Sequence, residues 1–86
     1  MYRISFKPSF VREAKRLENA LLSELLEKIE MLKNRENHTM LKVHKLHGKL
    51  KGFWSFSVTY KLRGVFAFEV KDEIVLLAIG DHNVYR

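Results

Sequence analysis

The chain has no cysteine, a single proline, four glycines and no apolar run longer than Ile74 to Ile79. Each shortage removes a class of protein. Without cysteine there is neither a disulfide framework nor a thiolate metal site, which fits a reducing compartment. An apolar run that short cannot cross a bilayer, which takes roughly 20 residues. The start carries no signal-peptide pattern, so a cytoplasmic protein without membrane contact is expected. Proline and glycine are too sparse for a linker, and no repeat or low-complexity segment interrupts the sequence. Residues 1–86 are therefore expected to form one domain around one modest core. Acidic residues are also in deficit, with 10 Asp and Glu against 16 Lys and Arg and a formal net charge of +6. A partner of negative charge is implied: nucleic acid, an acidic protein or an anionic surface.

What is present has clear periodicity. Tyr2-Arg3-Ile4-Ser5-Phe6-Lys7 alternates apolar and polar, as a strand buried on one face does. Pro8 ends it and suits the first turn of a helix, in which Phe10, Ala14 and Leu17 share a face. Asn19 is placed to cap a second helix with Leu22, Leu25, Leu26, Ile29 and Leu32 as its apolar stripe. Two helices so closely joined predict an antiparallel hairpin. Residues 34–52 read as a loop, with an extended piece around Met40 to Leu46. Trp54, Phe56, Val58 and Tyr60 then alternate with Ser55, Ser57 and Thr59, predicting a half-buried strand. Arg63 to Val70 and Glu73 to Ile79 predict two more, joined by a turn at Lys71-Asp72. The expected fold is α+β, in the order β-α-α-β-β-β: an antiparallel sheet with an N-terminal helical hairpin on one face.

If Trp54, Phe56, Val58 and Tyr60 meet the helices, then Ser55, Ser57, Thr59 and Lys61 point to the other side. Taking Phe66 and Phe68 as core puts Arg63 on that open face as well. The loop before the sheet is basic and rich in histidine, with Lys42, His44, Lys45, His47, Lys49 and Lys51. The chain ends Gly80-Asp81-His82-Asn83-Val84-Tyr85-Arg86, which sets an imidazole, a phenol and a guanidinium just beyond an apolar strand. His44-x-x-His47 has no third ligand from Cys, Asp or Glu nearby, so no metal or other cofactor is expected.

The stretch Lys45-Leu46-His47-Gly48-Lys49-Leu50-Lys51-Gly52-Phe53-Trp54-Ser55, the strand Arg63-Gly64-Val65-Phe66 and the ending Ile79-Gly80-Asp81-His82-Asn83-Val84-Tyr85 resemble, in this order, the RelE/ParE superfamily of toxins. The Gly-x-His ending is more similar to the RelE, YoeB and YafQ branch, which cuts mRNA on the ribosome, than to ParE, which poisons DNA gyrase. The resemblance implies a metal-independent endoribonuclease that inhibits translation, silenced by an acidic antitoxin. The free form is expected to be a monomer and the antitoxin complex a hetero-oligomer. Arg63 falls where such toxins have an arginine on the scissile phosphate, and His82 where YafQ-like members have their C-terminal histidine. Tyr85 resembles the tyrosine near the end of RelE-like chains, and His44 a histidine of YafQ. These four are the implied catalytic set. Lys42, Lys45, His47, Lys49, Lys51, Lys61 and Arg86 are expected to hold RNA. Ser57 and Lys61 depart from the family, standing where YafQ-like members have histidine and aspartate. That departure keeps two alternatives open: a ParE-like gyrase inhibitor without nuclease activity, and an inactive nucleic-acid-binding member of the fold.

Overall fold

The computed structural model describes residues 1–81. Its elements are β1 (Arg3–Phe6), α1 (Pro8–Ala14), α2 (Asn19–Leu32), β2 (His44–Lys45), β3 (Trp54–Ser57), β4 (Arg63–Glu69) and β5 (Glu73–Gly80), with single 3₁₀ turns at Arg35–Asn37 and Gly48–Leu50. The α+β class and the element order follow the sequence pattern, with one added short strand, β2. The sheet runs β1-β5-β4-β3-β2. It is mixed rather than wholly antiparallel, because β1 pairs parallel with β5. Both helices and three strands separate β1 from β5 in sequence, a connection long enough for the crossover a parallel pair requires.

Local chemistry explains most element boundaries. Pro8 occupies the first turn of α1, where its missing N–H deprives the helix of nothing. Asn19 is the first helical residue of α2, and Glu18 holds the cap position without a side-chain cap bond. The expected Asn19 cap is therefore absent. On α2, Leu25, Ile29 and Leu32 are buried, whereas Leu26 is 55% exposed. Leu22, Leu25, Ile29 and Leu32 keep a 3-4-3 spacing that stays on one line of a 3.6-residue helix; Leu26 falls off that line.

The core lies between the helices and one face of the sheet. Phe10, Leu25, Ile29 and Leu32 come from the helices, Leu41 from the loop, and Phe56, Phe66, Ile74, Leu76 and Ile79 from the strands. Full burial of each large apolar side chain contributes about 1.5–3 kcal/mol. Phe66 meets Phe56 and Phe68 edge-on, with centroids 5.9 and 5.1 Å away, the arrangement ring quadrupoles favour. His38 belongs to this structure: its Nε2 donates to the Leu32 carbonyl at 2.8 Å and its ring stacks on Tyr2.

A bulge in β5 has a large effect on which residues face inward. Phe66 pairs with Leu76 but Val65 pairs with Ala78, so Leu77 is the extra residue. Alternation is thereby reset, and both Leu76 and Ile79 reach the core although three positions separate them. Beyond β1, the free edge of β5 is covered by α1. Ser9 Oγ donates to the Leu77 carbonyl at 3.0 Å, and Glu13 Oε1 accepts the Ile79 N–H at 3.1 Å. Backbone groups that would otherwise be an unpaired sheet edge are satisfied this way.

Candidate functional site: a cationic hollow beside Arg63

Arg63 opens β4, and the register fixes its neighbours. Ser57 on β3 and Gly80 on β5 are its direct partners. Partners across a ladder point to the same side, and the next row, Phe56, Gly64 and Ile79, faces the helices. Arg63 therefore lies on the side away from the helices, as the parity of Phe66 and Phe68 predicts. The adjoining Gly64 is required by packing, since a β-carbon there would overlap the Phe56 ring.

The guanidinium of Arg63 is tethered. Its Nη1 donates to Ser57 Oγ, which uses one of five donors and leaves the planar fork able to take two oxygens of a phosphate. Ser57 is thus the group that holds the guanidinium in place. The ion pairs Lys28–Glu24 and Lys33–Glu30 do not involve Arg63.

His44 pairs with Ser55 on the neighbouring strand, which puts it on the same side of the sheet as Ser57 and Arg63. One strand lies between His44 and Arg63, and they are displaced by one two-residue step along it. Strand spacing and rise then give a Cα separation of about 12 Å, which two long side chains can bridge across a phosphodiester. His44 is exposed, and its Nδ1 lies 2.8 Å from the Lys42 carbonyl. A carbonyl oxygen can only accept, so Nδ1 carries a proton and, in the neutral ring, Nε2 is the nitrogen with the lone pair. That is the tautomer a general base needs.

A hollow of about 270 Å³ opens beside these residues, lined by Lys28, Met40, Lys42, Ser57, Tyr60 and Arg63 among others. Lys42 reaches it because its own backbone turns at a positive φ of 56° and the Leu41 carbonyl is held by the Ser57 amide at 2.8 Å. The cations Lys28, Lys42 and Arg63 line it together with the apolar Met31, Met40, Leu41 and Val58.

The other residues expected to bind RNA separate into distinct places. Lys45 pairs with Trp54 and lies on the helix side of the sheet, its Nζ 5.7 Å from the Trp54 ring centroid. His47, Lys49 and Lys51 are exposed on the loop that joins β2 to β3, at the far end of β3 from Arg63. Lys61 is exposed at the turn between β3 and β4. His82, Tyr85 and Arg86 lie outside the described residues. Two expectations about β3 require correction. The strand stops at Ser57, so Tyr60 is 85% exposed rather than core, while Ser55, on the side away from the helices, is fully buried together with Val65. Tyr60 and Met40 were absent from the sequence-derived set, since nothing in their spacing marks them.

Comparison with solved structures gives the same architecture over nearly the whole chain. A YoeB/ParE toxin from Agrobacterium tumefaciens superposes with a TM-score of 0.77 at 17% identity, covering 95% of this chain and 99% of that one. The archaeal RelE–RelB complex from Pyrococcus horikoshii gives 0.74 at 21% identity, with 93% of each chain covered. The chain has the RelE-like toxin fold. YafQ from E. coli matches as well, with a TM-score of 0.70 at 14% identity over 98% of this chain and 97% of that one. No protein-family model and no curated protein sequence matches the chain. Among the described residues no helix is long and apolar enough to cross a membrane.

Proposed function

We propose that this chain is the toxin of a type II toxin–antitoxin pair, a cytoplasmic, metal-independent endoribonuclease that cuts mRNA on the ribosome. The observation that carries the proposal is the Arg63–Ser57 tether on the same sheet face as His44, beside a cationic hollow. The RelE-like fold supports the toxin role, and the RelE–RelB complex from P. horikoshii supports an antitoxin as partner. The partner of this chain is acidic, given the net charge of +6.

In the proposed reaction the 2′-oxygen of a ribose loses its proton and bonds to phosphorus. The bond from phosphorus to the 5′-oxygen then breaks, leaving a 2′,3′-cyclic phosphate, and the departing oxygen gains a proton. Arg63 holds the non-bridging oxygens as negative charge accumulates on them. His44 Nε2 has the lone pair to take the 2′-proton. His82 is the proposed acid and Tyr85 stacks on a base or relays a proton; Gly80, directly opposite Arg63, leads the chain toward them. Lys42 and the exposed lysines add attraction for phosphate that falls as salt rises. With so few acid and base groups, the site depends on a substrate aligned by the ribosome, where fixed geometry supplies much of the barrier reduction.

The test is controlled expression of the chain in bacteria, with mapping of mRNA 5′ ends and of DNA breaks in the same culture. New mRNA ends within open reading frames without DNA damage are expected. DNA breaks with intact mRNA would establish the gyrase-inhibitor alternative instead.

A further inference from the structure

Tyr60 is a large aromatic side chain displayed where it packs on almost nothing. It stands at the tip of the β3–β4 turn with 85% of its surface exposed. The turn beneath it is firmly held. The Val58 and Thr59 amides both donate to the Leu62 carbonyl, at 2.9 and 3.2 Å, and the Leu62 amide donates to Thr59 Oγ1 at 3.1 Å. Tyr60 is therefore presented by a pinned backbone, which limits the ordering cost of using it.

Two hollows share Tyr60 as a wall. One is the hollow of Arg63 and Lys42, into which Met40 also contributes at 70% exposure. The other is lined by Leu21, Lys61, Leu62 and Asp81 and is mostly apolar. A flat aromatic next to an apolar thioether and flanked by Arg63, Lys42 and Lys61 is the combination that single-stranded nucleic acid requires, with π-faces for bases and cations for the phosphates between them. An acidic peptide would use the same cations, whereas a single-stranded nucleic acid sets a flat base beside each phosphate.

We infer that Tyr60 is the stacking platform for the nucleobase next to the phosphate held at Arg63, with Met40 bordering the same base. The inference rests on Arg63 being a phosphate clamp and adds a base-holding subsite beside it. Because stacking tolerates any base, the subsite contributes affinity and alignment more than sequence choice.

The experiment measures binding of the full chain to a fluorescent, uncleavable 2′-O-methyl hexanucleotide and to an abasic oligomer of the same length and charge. Wild type is expected to prefer the base-bearing oligomer by about 5- to 150-fold, the range stacking of one base gives. Tyr60→Ala is expected to reduce that preference several-fold without changing affinity for the abasic oligomer. Tyr60→Trp should keep it, and Arg63→Ala should weaken both oligomers alike. Equal binding of the two oligomers by wild type, or an undiminished preference in Tyr60→Ala, overturns the subsite while leaving the phosphate clamp standing. Failure of wild type to bind either oligomer at low salt defeats the clamp, and the subsite with it. Loss of binding to a polyglutamate peptide alone in Tyr60→Ala would overturn the nucleobase assignment and give the ring to an acidic protein partner.

Discussion

Arg63 and Gly80 are direct partners across β4 and β5, so β5 ends beside a guanidinium that is tethered on the helix-distal face. The register that achieves this is itself set by the extra residue at Leu77. Without that bulge, strict alternation would turn Gly80 and Arg63 to opposite sides.

Replacing Arg63 should abolish activity while leaving the fold. Arg63→Ala and Arg63→Lys are each expected to lower cleavage by at least about 100-fold, as loss of one preorganised transition-state donor does, because lysine cannot reproduce the planar fork. Ser57→Ala should fall between wild type and these variants, since it frees the guanidinium without removing it. Rates of cleavage on programmed ribosomes, with thermal melting as the control for folding, make the measurement.

His44 contributes through Nε2 in the proposed mechanism, and its Nδ1 is committed to the Lys42 carbonyl. His44→Ala is expected to reduce the cleavage rate by about 10²–10⁴-fold, the usual contribution of general base catalysis, with little change in RNA binding. A variant that binds less RNA but cleaves bound RNA at the normal rate would make His44 a binding residue only.

Gly64 exists to admit the Phe56 ring. Gly64→Ala should destabilise the protein by about 1–3 kcal/mol through overpacking. The second substitution Phe56→Leu should recover part of that loss even though it is itself destabilising. Chemical denaturation of the two single variants and the double variant gives the coupling directly.

Glu13 closes the free edge of β5 by accepting the Ile79 N–H. Glu13→Ala should cost about 1–3 kcal/mol, since it strips the partner from a buried amide, and Glu13→Gln should retain most of the bond through its carbonyl oxygen. Amide hydrogen exchange at Ile79 is expected to quicken in the alanine variant and to stay near wild type in the glutamine variant.

Much of this molecule can be read from its residues, and the exceptions have specific causes. Pro8, the α2 stripe and the β4–β5 hairpin follow from local rules. Lys71 and Asp72 both take positive φ, 55° and 62°, as a type I′ turn demands even without glycine. The face of Arg63 was legible because Phe66 and Phe68 fix the parity of β4. Pairing of β1 with β5 is a long-range event with no local trace, and so the sheet read as antiparallel when it is mixed. The bulge at Leu77 is invisible in a continuous run of apolar residues. Tyr60 keeps the parity of Trp54 and Phe56, yet the Thr59–Leu62 hydrogen bonds end the strand before it, which converts a predicted core residue into an exposed one. Of the basic loop, only Lys42 and His44 come to the Arg63 side and end of the sheet; composition marks a loop as cationic but does not say where each cation points.

The most direct test of the whole account is a reconstituted translation reaction, free of DNA and gyrase, in which purified chain is added to ribosomes carrying a defined mRNA and the new RNA termini are identified chemically. The account predicts cuts in ribosome-bound mRNA that leave 2′,3′-cyclic phosphate ends and disappear with Arg63→Ala. Intact mRNA with wild-type protein, or undiminished cutting by Arg63→Ala, would contradict it.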